Sequence, residues 1–111
     1  MVHRCVEAAD RFGGRVEVLD LRTISPWDRE RVLESVRKTS RLLVVHEDNL
    51  TAGFGAEIAA TVAQEAFWLL DAPVSRLAVN DVPMPYHPVL LERVLPGADS
   101  IARRIEEVLS A

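Results

Sequence analysis

The chain has 111 residues, 49% of them hydrophobic, and a formal net charge of −4. That amounts to one domain with enough apolar material for a modest core and too much for disorder. The acidic balance argues against binding a phosphate backbone, which needs a basic stripe to displace counterions, and no apolar run approaches membrane-spanning length.

Val2, Cys5, Val6, Ala9 and Phe12 fall on one helical face, and Gly13-Gly14 ends that helix. The helix begins at the first residue with no strand or capping residue ahead of it, so the chain reads as cut. The opening MVHRCVEAAD is too polar for a signal peptide. A single cysteine, Cys5, rules out an internal disulfide and fits a reducing cytoplasm. Arg15 to Arg22 reads as a strand, with Val16, Val18, Leu19 and Leu21 apolar and Asp20 near its carboxyl end. The next helix is expected to start with Ser25 as N-cap, Pro26 at the first position and Asp28 as the capping-box partner. Val32, Leu33 and Val36 then carry it to Lys38.

The stretch Arg41 to Ile58, RLLVVHEDNLTAGFGAEI, is the centre of the chain. Leu42 to Val45 is an unbroken apolar run, which suits a strand covered on both faces. His46-Glu47-Asp48 follow where such a strand leaves its sheet, then a glycine loop over Thr51 to Gly55. Ala56 opens a helix with Ile58, Ala59, Val62 and Ala66 at three- and four-residue steps. Strand tip, glycine loop and helix N-terminus together form the usual site architecture of an open α/β sheet.

Asp71-Ala72-Pro73 breaks the chain, and Val74 to Val79 reads as a third strand. Asn80 to Pro88 holds three prolines in nine residues and must be an extended or turned loop. Val89 to Val94 suits a short helical turn, and Ala98 to Leu109 a final helix. The order α-β-α-β-α-β-α predicts a three-layer α/β/α sandwich with a mainly parallel sheet, in one domain over 1–111.

No metal-ligand spacing, P-loop, dinucleotide fingerprint or nucleophile elbow is present, so no catalytic, cofactor-binding or metal residue is assigned. His46-Glu47 has the residue types of a general acid–base pair. The plainer reading is that His46 hydrogen-bonds the following loop while Glu47 faces a partner subunit. His46, Glu47, Thr51, Gly53, Phe54 and Gly55, with Met84 and Tyr86 on the proline-rich loop, are the candidates for a subunit interface or an anion site. Phe67-Trp68 and Trp27 are core or interface anchors by type.

Three strings carry a resemblance: VEVLDLRTISPWD, RLLVVHEDNLTAGFGAEIAATV and APVSRLAVNDVPMPYHP. In that order they resemble the C-terminal domain of the β subunit of 2-oxo acid dehydrogenase E1 components, within the transketolase-like superfamily. Ser25-Pro26-Trp27-Asp28 leans toward the branched-chain, 2-oxoisovalerate type, with the pyruvate type next to it. Ala52 departs from relatives that carry another glycine there. The resemblance implies an enzyme that decarboxylates a 2-oxo acid on thiamine diphosphate and Mg²⁺, with transfer to lipoyl groups of E2. The cofactor would sit on domains absent here, so the chain alone is expected to be inactive and to bind none. Implied partners are the E1 α subunit, a second β subunit and E2, with neither nucleic acid nor membrane. Glu106, Glu107 and the Ala111 carboxylate are the candidate E2 contact. The family sheet has two strands ahead of the first helix that are missing here, one of them between the equivalents of Val16–Leu21 and Leu42–His46. The domain is therefore expected to be N-terminally truncated, with those two segments unpaired to each other. The alternatives are a free-standing anion-binding or regulatory α/β module, and the C-terminal domain of a transketolase or deoxyxylulose-phosphate synthase.

Overall fold

Asp28 starts the first long helix by accepting a hydrogen bond from the Arg31 amide at 3.2 Å, which satisfies one of the free donors of a helix N-terminus. The computed structural model describes all residues 1–111, and this helix, α2, runs Arg29–Thr39. The N-cap is thus Asp28, three residues after the expected Ser25. The side chain of Asp28 reaches the open amides, whereas the Ser25-Pro26 turn still belongs to the loop. Glu30 in the first turn and Arg37 and Lys38 in the last suit the helix dipole, and Ser40 ends it in the left-handed conformation at φ 60°.

The remaining elements are α1 (Val2–Asp10), β1 (Leu43–Asn49), α3 (Phe54–Glu65), β2 (Ser75–Val79), α4 (Pro88–Val94) and α5 (Ala98–Ser110), with a 3₁₀ turn at Phe67–Leu69. Gly13 and Gly14, at φ 58° and 82°, turn the chain out of α1 in a conformation that other residues resist. None of the helices is long and apolar enough to cross a membrane.

β1 and β2 pair in parallel, with Val44 opposite Arg76 and Val45 opposite Leu77. Two layers of helix cover them. On one face, Val32, Leu33 and Val36 of α2 and Ile58 and Val62 of α3 bury against Val44. On the other, Ala8 of α1 and Ile101 and Ile105 of α5 pack with Leu43, Val45 and Leu77. Each fully buried aliphatic side chain contributes about 1.5–3 kcal/mol, so these two clusters are the main stabilising term. The three-layer α/β architecture is that expected from the order of elements.

The expected first strand is not one. Arg15–Arg22 is extended, and its side chains alternate as a strand's would. Val16 packs on the α1/α5 layer, and Leu19 and Leu21 on the α2/α3 layer. Its main chain nevertheless makes no ladder: the only backbone bonds in this stretch are from the Arg15 amide to Phe12 and from the Thr23 amide to Leu21. The sheet is two-stranded, so Val16–Leu21 and Leu42–His46 do not pair. Side chains anchor the segment instead. Glu17 takes hydrogen bonds or ion pairs from Lys38 at 2.8 Å and from Ser35 and Arg31 at 3.1 Å, all on α2. The Lys38 contact, with those of Ser35 and Arg31, holds the Glu17 carboxyl below its ordinary pKa.

Candidate functional site

The tip of β1 is irregular. From Val45 to Asn49 the strand takes four residue steps while β2 takes two, from Leu77 to Val79, so His46–Asp48 bulge out of register. The bulge leaves the His46 ring against the glycine loop. An added Cβ at Gly53 would lie 2.7 Å from His46 Cε1 and nearer still to the Asn49 carbonyl oxygen. One at Gly55 would lie 2.7 Å from His46 Cδ2 and 3.2 Å from Val44 Cγ1. Both glycines are required here by close approach, and together they form the seat of the imidazole.

Inside that seat, neither His46 Nδ1 nor Nε2 has a hydrogen-bond partner, although both are buried. The expectation that His46 bonds the following loop is therefore corrected: it packs on the loop and bonds nothing. Burial lowers its pKa from the ordinary imidazole value, the Asp48 carboxylate pulls it back up, and Arg76 pushes it down. Glu47 is exposed and lies 3.5 Å from the Met1 ammonium, not within reach of the His46 ring nitrogens as a partner. The two side chains do not make an acid–base pair.

The glycine loop is tied to the loop after β2. The Thr51 amide and hydroxyl both donate to the Asp81 carboxylate, which holds the Asp81 carboxyl below its ordinary pKa. The Leu50 amide donates to the Val79 carbonyl at 2.9 Å, and Arg76 donates to the Leu50 carbonyl at 2.8 Å. Phe54 turns inward and meets Trp27 edge-to-face, with ring centroids 6.1 Å apart. Of the interface candidates, Thr51, Met84 and Tyr86 are exposed, Gly53 and Gly55 are buried, and His46 and Phe54 are half-buried.

The exposed apolar side chains around the candidates Met84 and Tyr86 extend to Val82, Val89 and Leu90, which sequence reasoning did not single out. The signal was there: α4 has seven residues, too few to bury both Val89-Leu90 and Leu91, and the prolines before it hold the chain off the core. Phe67, Trp68 and Leu69 form a second exposed ridge, with Trp68 92% exposed.

The acidic C-terminal candidates sit at the other end of the sheet. Arg41, just before β1, donates to the Val108 carbonyl at 2.9 Å and to Ala111 O at 2.8 Å. Glu107 pairs with Arg104 at 3.1 Å, and Glu106 is exposed. Ala111 and Glu107 are thus engaged within the chain, and Glu106 is the carboxylate left facing solvent.

The family described as "Transketolase, C-terminal domain" matches residues 1–101. The chain belongs to the transketolase C-terminal domain family. A 2-oxoisovalerate dehydrogenase subunit beta 2, mitochondrial, of Arabidopsis thaliana is 51% identical over 85 residues, covering 77% of this chain and 24% of that protein. A mitochondrial pyruvate dehydrogenase E1 component subunit beta-2 of Oryza sativa subsp. japonica is 45% identical over 106 residues, covering 93% and 28%. Among solved structures, a split gene transketolase, described as an inactive beta4 tetramer, superposes with a TM-score of 0.80 at 27% identity, covering 98% of this chain and 35% of that one. The domain therefore spans about a quarter of the length of these curated relatives.

Proposed function

We propose that residues 1–111 act as the C-terminal assembly domain of the β subunit of a 2-oxo acid dehydrogenase E1, of the 2-oxoisovalerate or pyruvate type. In this reading the domain supplies subunit contacts, to an α subunit, a second β subunit and E2, and other domains supply the chemistry. The setting is cytoplasmic. Thiamine diphosphate with Mg²⁺ belongs to the whole enzyme. These residues do not fit it: no three His, Cys, Asp or Glu side chains converge as metal ligands, and the glycine loop is filled by the His46 ring. A surface depression of about 290 Å³ is lined by Glu17 together with Arg31, Ser35 and Lys38, all three of which already engage the Glu17 carboxylate.

The observation that carries the reading is the exposed apolar surface of Val82, Met84, Tyr86, Val89 and Leu90 beside loops fastened by Thr51 and Asp81. Apolar anchors presented on a braced backbone, with little ordering entropy left to lose, are what a subunit interface requires. The Arabidopsis thaliana and Oryza sativa relatives are named as dehydrogenase β subunits, at 51% and 45% identity across most of the domain. The test is to place Tyr86→Asp and Leu90→Asp together in the full polypeptide and follow assembly by sedimentation, with far-UV circular dichroism as the folding control. Subunit affinity should fall about tenfold or more, the loss expected at a buried anchor. Unaltered assembly by a folded double variant would overturn the reading. Glu106→Lys addresses the E2 contact in the same material: capture of E2 should weaken and lose salt sensitivity.

A further inference from the structure

The seat of His46 has a property that assembly does not use. It closes a glycine loop over a titratable ring that has no hydrogen-bond partner on either nitrogen. A neutral imidazole tolerates that environment at modest cost, since its polar atoms are few and the ring packs closely against Gly53 and Gly55. An imidazolium does not: it carries two N–H donors and a full charge, and burying a charge without an acceptor is far more expensive than burying a polar group. The charged groups around the ring give little help. Asp48 on the same strand favours the proton, while Arg76 on β2 opposes it. From α3 come Glu57, which is exposed, and the positive end of the helix dipole at Gly53–Gly55. No acceptor among them reaches the ring.

We propose that His46 is a proton-operated latch: the neutral ring seated between Gly53 and Gly55 holds the Leu50–Phe54 loop shut, and uptake of a proton expels the ring and frees the loop. The loop's hydrogen-bonded fastenings, Thr51 to Asp81, Leu50 to Val79 and Arg76 to Leu50, lie at its exposed start, so the end next to α3 is held by the seated ring together with the contact of Phe54 on Trp27. The sign follows from the lowered pKa of the seated ring. The closed loop binds the proton less well than the open one. Closure is thus fully favoured above the ordinary imidazole value of about 6.5 and weakens as pH falls through that value toward the lower one of the folded state. This inference concerns the loop itself and does not rest on the identity of any partner.

The experiment is hydrogen exchange with mass spectrometry on the full polypeptide between about pH 7.5 and pH 5, each amide corrected for its intrinsic rate. Protection over Leu50–Ala56 should fall several-fold with acidification, as linkage requires when the closed loop holds the proton less well than the open one. The Val44–Arg76 and Val45–Leu77 region of the sheet should keep its protection. In His46→Gln, which cannot titrate, the loop's protection should be independent of pH. A flat profile in the parent protein, the same fall in His46→Gln, or simultaneous loss in loop and sheet would each overturn the latch. Should His46→Gln not fold, NMR titration of the three histidine rings in the parent serves instead. His46 should titrate below the ordinary imidazole value of about 6.5 and in step with the loop signals, and a His46 ring that titrates at or above that value refutes the proposal.

Discussion

The unpaired main chain of Val16–Leu19 sets the first expectation for residues 1–111 produced alone. These four residues are half-buried between the helix layers, yet none of their amides donates to a backbone carbonyl. A buried donor without a partner costs about 1–3 kcal/mol; taking the lower figure for half-buried groups gives about 4 kcal/mol for the four. The open edge of β1, paired on one side only, adds a second row of unmet groups. Small domains have roughly 5–15 kcal/mol in total, so the isolated chain should be marginal, and its open edges should drive association. Exchange at the Val16–Leu19 amides should run near unfolded-chain rates while the β1–β2 ladder is protected. Thermal unfolding should depend on protein concentration and end in aggregation. A cooperative, monomeric transition at all concentrations, with Val16–Leu21 hydrogen-bonded to Leu42–His46, would refute this reasoning.

Two substitutions in the glycine loop follow from the same geometry. Gly53→Ala places a methyl against the Asn49 carbonyl, which is backbone and cannot swing away. Denaturant unfolding should therefore report a loss at or above the usual overpacking range of about 1–3 kcal/mol, and a neutral result would mean the loop relaxes freely. Ala52 is held at φ 59°, a left-handed conformation that disfavours a side chain by about 1–2 kcal/mol. Ala52→Gly relieves this but adds freedom to the unfolded chain, leaving an expected net gain of about 0.5–1 kcal/mol by the same assay.

The helices and the layered architecture were legible in the residues because they depend on local spacing. Val32, Leu33 and Val36 specify a buried helix face wherever that helix ends up, and Gly13-Gly14 can only end one. The glycine loop, the proline-rich loop and the break at Asp71-Ala72-Pro73 were equally readable, since backbone restrictions act within a few residues. The departure at Ala52 was also visible from resemblance, but its φ, and hence its strain, was not.

Pairing is a different matter. RVEVLDLR has a strand's alternation, and the chain indeed extends there with Val16 and Leu19 on opposite layers. Whether it becomes a strand is decided by a neighbour's backbone, which no local pattern encodes. His46 shows the same limit at the level of a site. Its position after an apolar run marked the strand tip, but its solitude does not follow from sequence. That arises because the bulge in β1, the bare Cα atoms of Gly53 and Gly55 and the start of α3 converge on one ring. Likewise, three C-terminal acids look alike in sequence, and only the packing of α5 over the sheet brings Arg41 to Ala111 and leaves Glu106 to solvent. Local chemistry fixes what a segment can do; the three-dimensional company it keeps determines which of its polar groups remain available.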